Sequence, residues 1–478
     1  MNEVPQKPRE WALEKLGDFV VYQKGKKPKI INKFQTDKCR LPYINIKAFE
    51  KNIVDEYTDG DGSVLCEAGD FLMVWDGARS GYIGKSIKGA LGSTLVKITF
   101  PGICLDYAYY FLQSKYLNIN TKAKGTGIPH VDPNLLWNYG FPIPSLHEQN
   151  LIVSVIEELF SDLDNAVENL KNAREQLKVY RQSILKNAFE GKLTNRTLRQ
   201  AQGTVIPAAD TVNSSPVATV TEPVEVVEAT KKGGELPATW KHVFITDLVE
   251  KNKHAIKAGP FGSSLKKEYY VSKGYKIYGQ EQVISGDPFY GDYYISEDKY
   301  KELYSNKIKP FDVLISLVGT VGKVLILPEN CIAGIINPRL IKVSLDRNIY
   351  LPKYFKYYFE SASVKSFCCS KAQGTTMDVL NLSIIKTIPF PLCSVKEQQK
   401  IVAEIESRFS VCDQMEETIE TSLKQAEALR QSILKQAFEG KLTEQWRKEH
   451  PDLISGENSA AALLAKIKAE KEALKKKK

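Results

Sequence analysis

Apolar residues recur along two long stretches of the chain at alternating steps of three and four residues. One stretch runs from Ile152 to Ile184 and the other from Ile401 to Ile433. This seam is narrower than the apolar stripe of a helix lying on a core, and it is typical of a coiled coil. The pattern predicts two antiparallel helices of about 44 residues, each roughly 65 Å long. A generic dimerisation hairpin and a bundle of four short helices are the alternatives.

The two predicted helices end in almost the same sequence. Residues 181–194 read RQSILKNAFEGKLT, and residues 430–443 read RQSILKQAFEGKLT, at an offset of 249 (430 − 181). The same offset aligns Phe141 with Phe390 in the Phe-Pro pair that precedes each helix. A repeat at a fixed long offset indicates a duplicated unit, here a globule followed by a long helix.

Ahead of each helix the pattern changes to short β-type runs, such as Asp70 to Trp75 in the first half, bounded by Gly, Pro and Asp and mixed with helical segments. The predicted fold class is α+β: two mixed α/β domains separated by two long antiparallel helices, with an internal pseudo-twofold repeat. The predicted divisions are a first globule at 1–145, a first helix at 146–194, a linker at 195–234, a second globule at 235–392, a second helix at 393–443 and a helical tail at 444–478.

Composition narrows the range of functions. Hydrophobic content of 43% and charged content of 26% are ordinary for a globular protein. With no apolar run of about 18 residues and a polar N-terminus, we expect no membrane association and a cytoplasmic location. Eight cysteines without a C-x-x-C pair and five dispersed histidines predict neither disulfides nor a metal site. The net charge of +9 is compatible with a polyanionic partner.

Catalytic motifs are nearly matched but fail at key positions. Residues 79–86 approach a phosphate-binding P-loop, but Arg79 stands where glycine is required, and Gly319 to Lys323 is too short. The Asn-Pro-Pro-aromatic loop of an adenine methyltransferase lacks its second proline at Asn337-Pro338-Arg339 and at Asp132-Pro133-Asn134. We therefore expect a non-catalytic chain that holds no cofactor of its own.

The evidence for DNA contact lies in two corresponding loops rich in small and basic residues, at 122–127 and 371–376. Small residues let the backbone approach a phosphate, and lysines add charge. Each loop alone also has the composition of an ordinary surface loop, but its occurrence in both halves favours DNA. The candidate DNA-binding residues are Lys122, Lys124, Gly125, Thr126, Lys371, Gln373, Gly374, Thr375 and Thr376 in these loops, Lys85 and Lys323 toward phosphate, Arg79 toward phosphate or a base, and Asn45, Gln280, Gln282 and Arg339 toward base edges.

Taken together, these features resemble the specificity subunit of type I restriction-modification systems. Each half opens with a Pro-x(2,3)-Trp sequence and continues with a Gly-Asp-x-Leu-like strand. A Gly…Gly-Lys loop follows, at Gly77 to Lys85 and at Gly319 to Lys323, and each half closes with the repeated helix end. The tail beginning at Glu444-Gln445-Trp446-Arg447 is similar too.

The resemblance implies two target recognition domains, each of which reads one half of a bipartite site in double-stranded DNA. It implies that the two helices set the spacing and dock two modification (methyltransferase) subunits, through which restriction subunits join. S-adenosylmethionine, ATP and Mg are then expected on those partner subunits. The alternatives are a coiled-coil scaffold that never reads DNA and the recognition subunit of a related restriction-methylation system.

Overall fold

The computed structural model describes residues 7–125, 127–193, 236–317, 322–371 and 380–476. The chain divides into two compact units, one formed by Met1–Lys171 with Glu420–Lys478 and the other by Asn172–Ile419. Each unit therefore contains one globule and a piece of both long helices. The predicted linker at 195–234 lies outside the described residues.

The first globule contains two four-stranded sheets and a two-stranded sheet. Its strands are β1 (Ala12–Lys15), β2 (Val21–Lys24), β3 (Leu41–Ile44), β4 (Tyr57–Thr58), β5 (Leu65–Cys66), β6 (Phe71–Val74), β7 (Ile83–Lys85), β8 (Gly89–Leu91), β9 (Leu95–Thr99) and β10 (Gly140–Ile143). Its helices are α1 (Leu16–Phe19), α2 (Ile46–Lys51), α3 (Leu105–Thr121) and α4 (Pro133–Trp137). The strand orders are β2-β9-β6-β7, β4-β3-β8-β5 and β1-β10, and only the β3–β8 pair is parallel among these described strands.

The second globule repeats one four-stranded sheet, the parallel strand pair and the two-stranded sheet of the first. Its strands are β11 (Lys241–Val243), β12 (Ile256–Ala258), β13 (Tyr270–Val271), β14 (Tyr275–Tyr278), β15 (Tyr294–Ile295), β16 (Val313–Ser316), β17 (Val324–Ile326), β18 (Gly334–Ile336), β19 (Leu340–Val343) and β20 (Phe390–Leu392). Its helices are α6 (Gln280–Ser285), α7 (Glu297–Glu302), α8 (Pro352–Phe359), α9 (Ala362–Lys371) and α10 (Leu382–Lys386), numbered to leave α5 for the first long helix. The sheet β12-β19-β16-β17 matches β2-β9-β6-β7, and β14 pairs with β18 in parallel as β3 does with β8.

The long helices are α5 (Leu146–Phe189) and α11 (Val395–Phe438), of 44 residues each. Each begins after a serine whose hydroxyl accepts a hydrogen bond from the backbone N–H three residues on: Ser145 from Glu148 at 3.2 Å, and Ser394 from Glu397 at 3.3 Å. This is the N-cap that satisfies an otherwise unpaired donor in the first turn.

Each long helix is followed by a glycine in the left-handed region, Gly191 at φ +70° and Gly440 at φ +73°. A Cβ on Gly191 would lie 2.2 Å from Cγ of Pro237, and one on Gly440 would lie 2.4 Å from Cγ of Pro8. Glycine is therefore required both by the backbone conformation and by the close approach of a proline. The repeated Phe-Glu-Gly and Pro-x(2,3)-Trp sequences meet at these contacts.

A buried glutamine ties each long helix to its own globule. Gln149 accepts a hydrogen bond from the N–H of Cys104 at 2.9 Å, and Gln398 accepts one from the N–H of Leu351 at 2.8 Å. Both side chains are fully buried, and each acceptor bond satisfies a backbone donor at the start of a globule helix, α3 or α8. The Glu-Gln pair is thus repeated because its glutamine performs the same structural role twice.

The two long helices pack antiparallel within each unit, as predicted. In the first unit Arg430 lies 4.2 Å over the ring of Phe160 and forms an ion pair with Asp164. In the second unit the equivalent residues, 249 positions away, make the same contacts, but there the arginine comes from α5 and the aromatic ring from α11. There Arg181 lies 5.2 Å over the ring of Phe409 and pairs with Asp413 at 2.6 Å.

The predicted single apolar seam is wrong at some positions of both helices. Tyr180, Met415 and Leu429 belong to the seam by spacing, yet each is about half exposed, at 50%, 52% and 50%. Phe160, which lies outside the seam, is buried instead. The reason is that globule helices also pack on the long helices, as the edge-to-face contact of Tyr110 with Phe160 at 5.7 Å shows.

The C-terminal tail contains α12 (Glu444–Glu449) and α13 (Ala460–Lys476), and it packs on the first globule. Ile467 is fully buried in that globule's core, and Lys468 pairs with Glu14 at 3.2 Å. The short 3₁₀ segments in the described part of the chain are Ile245–Asp247, Gly262–Ser264, Lys267–Tyr269, Tyr304–Asn306, Pro451–Ile454 and Gly456–Asn458. Among the described residues, every helix is too short or too polar to cross a membrane.

A buried polar cluster joins the tail to the start of the chain. The carboxylate of Glu148 is fully buried and accepts hydrogen bonds from Nε1 of Trp11 at 2.8 Å and from the hydroxyl of Thr443 at 2.6 Å. The guanidinium of Arg447 forms an ion pair with the same carboxylate. The charge of Glu148 is therefore compensated and its acceptor sites are used, as burial requires.

Candidate nucleic-acid interface

In the first globule, loops gather at the end of the sheet β2-β9-β6-β7 where β2 and β6 finish. We call this the loop end of the sheet. Lys24, the last residue of β2, pairs with Asp76 at 2.8 Å, directly after β6. The N–H of Trp75 donates to the carbonyl of Thr94 at 2.8 Å, which holds the approach to β9 at the same place. Antiparallel pairing thus brings three chain segments together.

The predicted loop after α3 reaches this loop end. The N–H of Gly77 donates to the carbonyl of Pro129 at 2.7 Å. Lys124 and His130 exchange backbone hydrogen bonds at 2.9 and 2.7 Å, which closes the loop on itself. Gly125 has φ +108°, and a Cβ there would lie 2.5 Å from the carbonyl oxygen of Ile128, so only glycine fits.

The ammonium of Lys124 is engaged within the globule. It pairs with Asp132 at 2.9 Å, and this hydrogen bond lowers the pKa of the Asp132 carboxyl. Lys122, at the C-terminus of α3, is exposed beside the loop. Lys371 is the last residue of α9 in the second globule and is also exposed. The remaining loop candidates, Thr126, Gln373, Gly374, Thr375 and Thr376, lie outside the described residues.

Arg79 lies on the neighbouring loop after β6 and remains half exposed, at 48% of its side chain. Its guanidinium pairs with Glu50 at 2.8 Å and lies 4.0 Å over the ring of Tyr82. Asn120 fixes this loop by donating to the carbonyls of Ala78 at 3.1 Å and Ser80 at 2.9 Å. Arg79 is therefore presented by a fixed loop with part of its surface free.

Asn45 has a structural role as the N-cap of α2. Its side-chain oxygen accepts from the N–H of Ala48 at 2.8 Å, and its amide donates to Glu56 at 2.9 Å. Base reading by Asn45 would compete with these bonds, because the amide has one acceptor and one donor group.

In the second globule the corresponding loop end brings predicted residues together. Gln280 donates to the hydroxyl of Ser316 at 3.1 Å and accepts from the guanidinium of Arg339 at 3.3 Å. Arg339 is exposed, and its backbone N–H donates to the side chain of Asn337 at 2.9 Å. A Cβ on Gly259, which follows β12, would lie 1.8 Å from the carbonyl oxygen of Asn337. These four segments are thus in direct contact.

Gln282 points away from this group and is buried, with only 1% of its surface exposed. Its oxygen accepts from the N–H of Gly279 at 2.7 Å, and its amide donates to the carbonyl of Tyr290 at 2.6 Å. Direct base reading by Gln282 would require both buried bonds to break, so its position is structural.

The predicted equivalence of the two Gly…Gly-Lys loops is wrong. Strand pairing aligns Phe71 opposite Lys85 in the first globule and Val313 opposite Ile326 in the second. Lys85 therefore corresponds to Ile326, and its side chain pairs with Asp106 at 2.7 Å. It lies opposite the first residue of β6, away from the loop end.

Lys323 precedes β17 and is exposed, with its ammonium donating to the carbonyl of Ile284 at 3.1 Å. It follows Gly322, whose N–H donates to the carbonyl of Ser316 at 3.0 Å. In the first globule the N–H of Gly81 donates in the same way to the carbonyl of Val74 at 2.7 Å, and Val74 ends β6 as Ser316 ends β16. Gly322 thus matches Gly81, and Lys323 corresponds to Tyr82 rather than to Lys85.

The fold adds residues that the sequence motifs did not indicate. Lys24 and Asp76 form an ion pair at the loop end of the first globule, and Ser316 bonds to Gln280 in the second. The sequence does indicate Lys24 and Asp76 by their positions, because Lys24 precedes Gly25 and Asp76 precedes Gly77, each at the end of a β-type run. Strand-end residues followed by glycine mark a loop that another segment can approach closely.

The side chains at both loop ends are hydrogen-bond donors and acceptors with planar or charged groups. A guanidinium and an amide held side by side, as in Arg339 and Gln280, suit the donor and acceptor pattern of base edges. Among the described residues, no group of three or more His, Cys, Asp or Glu side chains is placed to hold a metal ion. The arrangement is suited to recognition.

Comparison with known proteins gives a consistent result. A sequence profile described as Type I restriction modification DNA specificity domain matches residues 8–178 and 237–425. The chain is similar to the Type I restriction enzyme EcoKI specificity subunit of Escherichia coli K12, with 28% identity over 503 residues, covering 98% of this chain and 96% of the relative. It is also similar to the EcoBI specificity subunit of Escherichia coli, with 26% identity, covering 92% and 88%.

A solved structure shares the fold. It comes from work on complex assembly and conformational transition of the type I R-M system, and its chain matches with a TM-score of 0.60 at 17% identity. The match covers 91% of this chain and 99% of the other. The predicted combination of two mixed α/β domains with long helices is confirmed.

Proposed function

This chain belongs to the type I restriction modification DNA specificity family, and from that premise we propose how its two recognition domains divide the reading of DNA. The first globule reads one half of a bipartite double-stranded site and the second reads the other half. The number of residues in the two long helices determines the length of the unread gap. The chain itself catalyses nothing.

The observation that carries this proposal is that the sheet bearing the loop end has the same strand order in both globules, while the side chains at that loop end differ. Thr94 and Arg339 occupy the same place, since their carbonyls accept from the N–H of Trp75 and of Leu317 at 2.8 and 3.0 Å. A small hydroxyl and a guanidinium present different groups to a base pair. Equivalent loop ends with unlike chemistry favour a target whose halves differ in sequence.

Base reading in the second half-site is assigned to Arg339 and Gln280. Arginine binds guanine and glutamine binds adenine with paired hydrogen bonds in the major groove. Their mutual bond at 3.3 Å keeps the two planar groups together before DNA is bound. In the first half-site Arg79, which keeps about half of its side-chain surface exposed, has the corresponding chemistry.

Methylation and cleavage belong to partner subunits. Two modification subunits dock on the long helices, and restriction subunits join through them, bringing S-adenosylmethionine, ATP and Mg. Exposed apolar side chains on the helices support this docking, including Val179 at 71%, Val411 at 53% and Met415 at 52%. We infer a cytoplasmic location for the complex, because all eight cysteines are free thiols, as is typical of a reducing compartment.

Methylome sequencing of cells with and without this chain tests the proposal. A split methylated motif should be present only when the chain is expressed. Arg339→Ala should relax one position of one half-site, since a lost bidentate contact costs about 1–3 kcal/mol of discrimination, while the other half-site stays unchanged. A methylome indifferent to the chain, or relaxation in both half-sites, would contradict the assignment.

A further inference from the structure

Positive charge is concentrated in one loop of the first globule that no motif singled out. The segment between β2 and β3, residues 25–40, is called the basic arm here. It contains five lysines, one arginine and one aspartate, a formal charge of +5 against +9 for the whole chain. The lysines are Lys26, Lys27, Lys29, Lys33 and Lys38, and all five are exposed.

The charge of the basic arm is not neutralised within the protein. Arg40 pairs with Asp37 at 3.0 Å, but no described residue forms an ion pair with any of the five lysines. Elsewhere in the same globule, lysines such as Lys47, Lys88 and Lys97 each pair with a carboxylate. Five unpaired ammonium groups in one loop repel each other unless an anion is bound.

The basic arm is nevertheless a fixed loop. Asn32 and Tyr57 exchange two backbone hydrogen bonds of 2.8 Å each, which join the arm to β4. Cys39 is buried, and its carbonyl accepts from the N–H of Thr36 at 3.1 Å. Because the backbone is anchored at these points, the lysines are held outward at the cost of little further ordering on binding.

The basic arm begins at the loop end of the first globule. The N–H of Gly25 donates to the carbonyl of Leu95 at 2.9 Å, and a Cβ on Gly25 would lie 2.1 Å from the carbonyl oxygen of Gly92. Lys26 is therefore two residues from Lys24, which pairs with Asp76 at that loop end. A duplex read there would pass beside the start of the basic arm.

The second globule lacks an equivalent charge concentration. Its corresponding segment, residues 259–274, contains three lysines and one glutamate, a formal charge of +2. Lys266 lies 3.6 Å from Glu268, which compensates part of that charge. The two halves thus differ in how strongly they attract a polyanion.

We propose that the basic arm is a phosphate-binding clamp that holds the DNA backbone beside the half-site of the first globule. This inference rests on the proposed function and adds an unequal division of labour between the domains. The first globule supplies more of the sequence-independent affinity than the second does. Phosphate contacts of this kind position a protein on the duplex without selecting a sequence.

The test measures binding of the full chain, assembled with its modification subunits, to a 30-base-pair duplex across a range of salt concentrations. In the arm variant, Lys26, Lys27, Lys29 and Lys33 are replaced by glutamine. Each lost phosphate contact should reduce the slope of log affinity against log salt by about 0.9 and lower affinity about eightfold at 0.1 M salt. We expect a slope smaller by at least about 2, with target and random duplexes weakened by the same factor.

Two matched variants complete the design. Replacing the same four lysines by arginine retains the charge and should retain the slope. Lys251→Gln with Lys253→Gln removes exposed charges that precede β12, at the other end of its sheet from Gly259, and should leave the slope unchanged.

The possible binding results distinguish failure of the phosphate clamp from failure of the proposed function. If the wild-type complex binds with a steep salt slope and the glutamine variant keeps that slope, the clamp is overturned while the proposed function stands. A glutamine variant that weakens target but not random duplex also overturns it, because the arm would then read sequence. If the wild-type complex binds no duplex at all, the proposed function fails.

Discussion

Arg447→Met removes the only cation that pairs with the buried carboxylate of Glu148 among the described residues. The carboxylate is fully buried, and it keeps two neutral donors, Nε1 of Trp11 at 2.8 Å and the hydroxyl of Thr443 at 2.6 Å. Methionine preserves most of the packing of the arginine stem. The variant removes the charge compensation together with the hydrogen bonds that the guanidinium donates to the hydroxyl of Thr443 and to the carbonyl of Gly440.

The expected loss of unfolding free energy follows from the burial of Glu148. Removing one partner of a buried ion pair costs about 3–5 kcal/mol, because the remaining charge stays in a medium of low polarity. Since Glu148 keeps two hydrogen bonds, we expect the lower end, about 3 kcal/mol. For a folded unit of about 150–250 residues this lowers the melting temperature by about 6–12 °C.

Calorimetric unfolding of the full chain measures the effect, and the adjacent residue provides the comparison. Lys448 pairs with Glu444 at 2.8 Å, but both side chains are more than half exposed, at 65% and 60%. Lys448→Met should therefore cost less than about 1 kcal/mol. The double variant Glu148→Gln, Arg447→Met should be more stable than Arg447→Met alone, because no unpaired charge remains. Equal melting temperatures for Arg447→Met and Lys448→Met would refute the reasoning.

Three further predictions concern spacing, packing and pH. Deleting seven residues, roughly 10 Å of helix, from both α5 and α11 should shorten the preferred gap in the methylated motif and spare both half-site sequences; a changed half-site with the original gap would contradict the spacing role. Gly259→Ala should destabilise the protein by about 1–3 kcal/mol in thermal unfolding, because its Cβ would meet the carbonyl of Asn337, whereas Gly127→Ala, in open space, should be neutral. Burial raises the pKa of Asp312, whose carboxylate accepts from Ser344 at 2.6 Å. Because its folded pKa is above its unfolded value, wild type should lose stability relative to Asp312→Asn as pH rises through that folded pKa, and a constant difference in unfolding free energy across pH would exclude this sign.

Features that depend on local chemistry were predictable from the sequence. The repeated Phe-Glu-Gly end predicted helix termination, and Gly191 and Gly440 have the left-handed backbone that such an end requires. The Glu-Gln pair marked the start of both helices, although its reason, the hydrogen bonds of Gln149 and Gln398 to globule backbone, needed the structure. The duplication itself was visible because these residues recur at one offset.

Features that depend on register were not predictable. Lys85 and Lys323 share a Gly-Lys sequence, but strand pairing places Lys85 opposite the first residue of β6 and Lys323 before β17. The apolar spacing of the helices likewise did not show that a cation over an aromatic ring, Arg430 over Phe160, would form part of their contact. Both outcomes are set by partners distant in sequence.

The way each globule is attached has an evolutionary consequence. Gln149 and Gln398 bond to main-chain atoms of their globules, the N–H groups of Cys104 and Leu351, and so these two hydrogen bonds do not depend on which side chains the globule carries. Recombination between Pro8 or Pro237 and the following Ser145 or Ser394 can therefore replace an entire globule and preserve these two bonds. A lineage can acquire a new target in one genetic exchange while the helical frame is inherited unchanged.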